Sequence, residues 1–112
     1  METLSEKKCV PCEGGVAPMT PAEYKPYLDM VEDWVVIEDK KIERAFTFKN
    51  FAAALAFVNE VGKIAEEEGH HPDIFLHNYK KVKLSLWTHA IGGLSVNDFI
   101  MASKIDRIKT NK

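Results

Sequence analysis

The stretch FAAALAFVNEVGKIAEEEG, Phe51–Gly69, decides the reading of the chain. Phe51, Leu55 and Val58, then Val61, Ile64 and Ala65, recur near helical spacing. Asn50 is placed to cap the start and Gly69 to stop the end. The alanine-rich first half permits close approach by a neighbour, either the chain's own sheet or a second subunit. Working outward, WVVIED (34–39) and KIERAFTF (41–48) precede this helix as two strands joined near Asp39 and Lys40. Their alternation is imperfect, through Ile42, Ala45 or Phe46, and Phe48, and the turn lacks Asn-Gly, so its type stays open. IFLHNY (74–79) and VKLSLWTH (82–89) follow the helix as two more strands, the second alternating Val82, Leu84 and Leu86 against Lys83, Ser85 and Trp87. Gly92 and Gly93 break that pattern, Ser95 is placed as an N-cap, and NDFIMASKIDRI (97–108) closes the chain as a helix. Upstream, Thr20, Pro21 and Glu23 form a capping-box start for a short helix towards Leu28, which Pro26 shortens or kinks. The order α-β-β-α-β-β-α predicts an α+β fold, a sheet with helices on one face.

The length of 112 residues fits one domain, able to bury roughly two-thirds of its unfolded surface. Residues 1–19, with Pro11, Gly14, Gly15 and Pro18 close together, read as an irregular arm, and residues 20–112 as the single domain. Fifteen basic and seventeen acidic residues leave a formal charge of −2, which argues against direct nucleic-acid binding or an anionic membrane as the partner. The apolar runs fall well short of the roughly 20 residues of a membrane helix, and METLSEKKC lacks a signal-peptide pattern. A soluble, cytoplasmic protein is expected. Cys9 and Cys12 in CVPC are spaced for a local disulfide or half a zinc site. A structural zinc would need two more ligands, and the four histidines all lie at positions 70–89. A thioredoxin-like motif would lie between a strand and a helix, whereas this pair precedes EGG and a proline, so a structural or incidental role is favoured.

The chemistry concentrates in EEEGHHPD, Glu66–Asp73. If the helix persists to about Glu68, Glu66 stands four residues before His70 and is expected to orient it. The helix C-terminus would favour a protonated imidazole, suited to a general acid. Pro72 restricts His71 to extended backbone, so the two rings leave the chain in different directions. His89, at the end of the VKLSLWTH strand and before a glycine loop, is the third candidate, and Asp98 the fourth residue of interest. Each also has a plainer role. A lone His70 or His71 more often ends a helix in solvent, Glu66 belongs to a charge run, and Asp98 suits a capping box. His77 is left outside the site, and Trp87 is a core or interface aromatic with a lesser chance of walling a flat ligand. A three-histidine zinc site is disfavoured because adjacent His70 and His71 lack the i, i+4 ligand geometry.

Taken together, E-x-x-x-H-H-P at Glu66–Pro72, WTH at Trp87–His89 and the following GGLSVNDFIMASKID resemble the pterin-4a-carbinolamine dehydratase family. KCVPCEGG with MTPAEY also resembles N-termini of some members, without bearing on mechanism. The resemblance implies a four-stranded antiparallel sheet with three helices packed on one face, consistent with the order read above. It implies dehydration of a 4a-hydroxytetrahydropterin to a quinonoid dihydropterin, the recycling step after aromatic amino-acid hydroxylases, with no metal or redox cofactor. His70, His71 and His89 match the family's active-site histidines and Glu66 its supporting acid. On this reading His70 and His89 transfer protons and His71 positions the pterin or stabilises charge. Asp98 holds the WTH region or His89, with Thr88 and Ser85 as minor substrate contacts. Gly69 departs from members that carry an acid before the histidine pair. A homodimer or homotetramer is implied. The competing class is a non-catalytic dimerisation or assembly protein on the same fold, which has no evident need for all three histidines.

Overall fold

The computed structural model describes residues 4–7, 9 and 17–108. Thr20 caps the first helix, α1 (Pro21–Leu28), its hydroxyl accepting from the Glu23 amide while the Glu23 carboxylate accepts from the Thr20 amide. Those contacts hold the Glu23 carboxyl below its ordinary range, the Thr20 amide contributing most. Pro26 does not end this helix, which runs on to Leu28. Strands β1 (Val35–Ile37) and β2 (Lys41–Thr47) precede α2 (Phe51–Glu68), and β3 (Asp73–His77) and β4 (Lys81–Leu86) precede α3 (Val96–Asp106). Short 3-10 turns occupy Leu4–Glu6 and His89–Ile91.

The four strands form one antiparallel sheet in the order β1-β2-β4-β3. Both central strands are therefore the second members of their hairpins, which leaves β1 and β3 as edges. The expected alternation decides the layers. Ile42, Arg44 and Phe46 of β2 and Val82, Leu84 and Leu86 of β4 are buried on the helix side. Ala54, Phe57, Val61 and Ala65 of α2 meet them at helical spacing, as do Phe99, Met101, Ala102 and Ile105 of α3. Phe57 lies 4.6 Å from Phe46 and 5.0 Å from Phe48, ring centroid to centroid. Arg44 is the charged member of that buried face. Its guanidinium lies 2.7 Å from Asp106, which also accepts from the Trp34 indole at 2.8 Å and the Glu32 amide at 2.9 Å. The end of α3 is thereby tied to β2 by a buried ion pair whose carboxylate is satisfied on several sides.

Several elements are shorter than the sequence suggests. The first strand ends at Ile37 because Glu38 and Asp39 take positive φ of 53° and 57°, and the Lys40 amide bonds back to Ile37. This two-residue left-handed turn matches the twist of a hairpin even without Asn-Gly. Asp39 accepts a hydrogen bond from the Tyr24 hydroxyl, which raises the Tyr24 pKa above its ordinary value and pins α1 to the turn. Asn78 and Tyr79, expected at the end of a strand, form a second left-handed turn with φ of 47° and 51°, where the Lys80 amide bonds the Asn78 carbonyl. On the sheet face away from the helices, Glu43 accepts from Ser85 at 2.9 Å and pairs with Lys41 at 3.1 Å. Burial opposes ionisation of Glu43, but the Ser85 and Lys41 bonds outweigh it and hold the carboxyl below its ordinary range. Among the described residues no helix is long and apolar enough to cross a membrane.

Candidate active site

The topology brings the two histidine segments together. Because β3 and β4 are antiparallel with Asp73 opposite Ser85, the residues entering β3 lie beside those leaving β4. His70 and His71 precede β3, and His89 follows β4. All three line one open cleft of about 340 Å³ with Gly69, Trp87, Thr88 and Ala90, within the size range of small-ligand sites.

The pairing of acids with histidines differs from the i, i+4 expectation. Gly69 takes the left-handed conformation, φ 65°, and both its amide and that of His70 bond back to the Ala65 carbonyl. This Schellman-type ending swings His70 off the helix face before it can meet Glu66. His70 instead turns inward, its side chain 13% exposed, and its Nε2 lies 2.7 Å from Oδ1 of the fully buried Asp98. Glu66 meets His71, Nε2 to Oε2 2.5 Å, and both of those side chains are exposed. The two adjacent rings thus have separate carboxylate partners, one buried and one in solvent.

Asp98 does more than cap α3. One oxygen faces His70, and the other accepts from the Thr88 hydroxyl and the Ser95 amide, each at 2.9 Å. Thr88, nearly completely buried, also bonds Ser95 Oγ at 2.7 Å, so its hydroxyl ties the loop to the start of α3. Asp98 thus contacts the WTH segment through Thr88, and the histidine it meets is His70, not His89. Ser85 likewise spends its hydroxyl on Glu43.

His89 does not sit on the strand. The ladder stops at Leu86, Thr88 bridges to Gly93, and His89 opens the 3-10 turn that Gly92 closes with φ 66°. Its exposed ring stacks on Trp87, centroid to centroid 3.9 Å. His77, left outside the site by the sequence, stacks instead on Phe75 at 4.6 Å.

The arm contributes an unforeseen support. The Cys9 amide donates to Glu68 at 2.8 Å, and its thiol approaches the Asn97 carbonyl at 3.6 Å. Glu68, which shares the EEE run with Glu66, has a side chain only 6% exposed that also lies 3.7 Å from Lys104. Cys12, the other half of the expected pair, lies outside the described residues. Among the described residues no cluster of His, Cys, Asp and Glu is arranged to hold a metal ion.

The family described as Pterin 4 alpha carbinolamine dehydratase matches residues 17–108. The chain belongs to the pterin-4a-carbinolamine dehydratase family. A relative from Alkaliphilus metalliredigens is 49% identical over 96% of this chain and 96% of its own, and one from Chlorobaculum tepidum is 48% identical over 96% and 99%. Both carry pterin-4-alpha-carbinolamine dehydratase as a provisional name. The crystal structure of a transcriptional coactivator/pterin dehydratase from Brucella melitensis is 31% identical, with a TM-score of 0.73 over 79% of this chain and 94% of its own. A pterin dehydratase-like protein identified as a RuBisCO assembly factor in the alpha-carboxysome shares the fold at 21% identity, TM-score 0.56. Within the pterin-4a-carbinolamine dehydratase fold of this chain, sequence reasoning missed the Trp87 stack and the support from Glu68. Trp87 could have been sought from its period-two relation to Ser85, but no local pattern separates a buried Glu68 from its exposed neighbours.

Proposed function

We propose that the protein is a hydro-lyase that converts a 4a-hydroxytetrahydropterin to the quinonoid dihydropterin by histidine acid/base catalysis. The observation that carries this reading is the convergence of His70, His71 and His89, from two segments of the chain, on one cleft. In the reaction the C4a–oxygen bond breaks, the hydroxyl leaves as water with a proton from an imidazolium, and a ring N–H proton passes to a neutral imidazole. One acid and one base suffice, and the substrate is neither oxidised nor reduced. His70 and His89 take these proton transfers, and His71 orients the pterin or offsets developing charge. Asp98, behind His70, fixes its ring orientation and tautomer while donating nothing itself. Glu66 does the same for His71 with less force, because solvent screens that pair. Thr88 supports Asp98 from within.

In this reading residues 20–112 form the catalytic domain and residues 1–19 an arm attached to it. The enzyme acts in the cytoplasm, serving an aromatic amino-acid hydroxylase. Self-association as a homodimer or homotetramer is favoured by the unpaired β3 edge with exposed Ile74 and Phe75, and by exposed Phe51 and Leu55 on α2. The test is the rate at which chelator-treated protein converts a freshly generated 4a-hydroxytetrahydropterin, followed by absorbance against the spontaneous reaction. Acceleration that falls at least tenfold in folded His70→Ala and His89→Ala variants is expected. Folded protein that gives no acceleration across several pterin side chains overturns the reading in favour of an assembly role.

A further inference from the structure

The three imidazoles of the cleft differ in what holds them. His70 has Asp98 and His71 has Glu66, each bonding a ring nitrogen. His89 is exposed, and among the described residues the ring contact that restrains it is the stack on Trp87, with centroids 3.9 Å apart and planes 26° from parallel. The indole is itself anchored, its Nε1–H donating to Asp73 Oδ2 at 3.3 Å. Asp73 is the first residue of β3 and stands opposite Ser85 in the ladder, two residues before Trp87. The anchor therefore comes from the strand that His70 and His71 lead into, and it ties the two sides of the cleft together.

We propose that Trp87 is the positioning residue for His89, performing by stacking what the carboxylates do for the other two histidines, with Asp73 fixing the indole. This rests on the dehydratase reading for its kinetic consequence. An exposed histidine otherwise samples several staggered rotamers, and only some place its nitrogens over the cleft. Confinement to one rotamer accounts for about a threefold gain, and angular alignment of the proton-transfer path adds to it. A planar hydrocarbon face leaves both ring nitrogens free. That suits a histidine that must exchange a proton with substrate on one edge and with water on the other. Trp87 also lines the cleft, so the alternative role is a wall for the pterin ring. The two roles differ in kinetics, since a wall contributes to substrate binding and an orienter to turnover.

The experiment has two arms. In the first, nuclear magnetic resonance of free protein locates the carbon-bound ring protons of His89, assigned by their loss in His89→Ala. They are expected to be shifted upfield by the indole ring current, to return to ordinary positions in Trp87→Ala, and to move part of the way in Asp73→Ala. Ordinary positions in the wild type overturn the proposal, whether or not the protein is a dehydratase. In the second arm, Trp87→Ala is expected to lower kcat about tenfold with KM changed less than about twofold, and Trp87→Phe to recover most of the rate. Added to His89→Ala, Trp87→Ala is expected to cost less than about twofold more, since its effect passes through that ring. A KM effect that dominates, or full additivity in the double variant, overturns the positioning role. Absence of wild-type activity overturns the dehydratase reading and leaves the resonance arm as the test of the stack.

Discussion

Replacing Asp98 separates the structural and chemical work of one buried carboxylate. Asp98→Ala removes the acceptor of three hydrogen bonds, from His70, Thr88 and the Ser95 amide. Loss of the capping contact at Ser95 costs about 1 kcal/mol. Thr88 keeps its bond to Ser95 Oγ, so its loss is limited to about 1 kcal/mol. His70, 13% exposed, finds water with difficulty, and losing a charged partner adds about 1.5–3 kcal/mol. The total of about 4 kcal/mol agrees with the usual cost of breaking a buried pair. With a urea m-value of about 2 kcal/mol/M, the unfolding midpoint should fall by about 2 M. Asp98→Asn keeps an oxygen for Thr88 and Ser95 and turns an amide N–H towards His70, which can accept it on Nε2. Its midpoint should fall by less than about 1 M, yet turnover should drop 100-fold or more, because the amide N–H forces the ring proton to the other nitrogen. Urea denaturation and the dehydration assay on both variants decide the matter. An alanine variant within about 1 kcal/mol of wild type, or an asparagine variant with undiminished turnover, would refute the reasoning.

Other expectations follow from neighbouring contacts. Glu66→Gln should leave stability within about 0.5 kcal/mol of wild type, because its pair with His71 is exposed; a loss as large as that of Asp98→Ala would reverse the ranking of the two acids. Gly93→Ala brings a Cβ to 2.6 Å from the Pro18 side chain, so it should displace that segment and cost about 1–3 kcal/mol, measured by thermal unfolding. Glu43 has its carboxyl held below its ordinary 4.5, burial being outweighed by Ser85 and Lys41. Its contribution is therefore present above pH 4.5 and is lost as pH falls through the lowered folded value. Ser85→Ala should then be less stable than wild type at pH 6 and converge with it in acid; an equal difference at both ends of that range would disprove the assignment.

The helices were legible because their signals are local. Thr20 with Glu23, Asn50 with the run after it, and Ser95 with Asp98 mark starts that the structure reproduces. Alternation in VKLSL identified the buried face of β4 for the same reason. Strand ends were less legible, since Glu38 and Tyr79 adopt left-handed backbone that their side chains do not announce, next to Asp39 and Asn78, which tolerate it. Two of those residues complete a turn anchored by Tyr24, a contact from another element.

By itself the sequence determined the order of elements, the α+β class and the identity of the candidate histidines, because spacing, caps and motifs are properties of neighbouring residues. Only tertiary structure decided which acid serves which histidine. One left-handed glycine ends α2 a residue too early for Glu66 to reach His70, so Glu66 turns to His71. Asp98 reaches His70 across 28 residues of chain, because the core packs α3 against α2 and the sheet. The strand order that sets His89 beside the pair, and the stack that holds it, likewise depend on pairings between segments whose local patterns carry no record of one another.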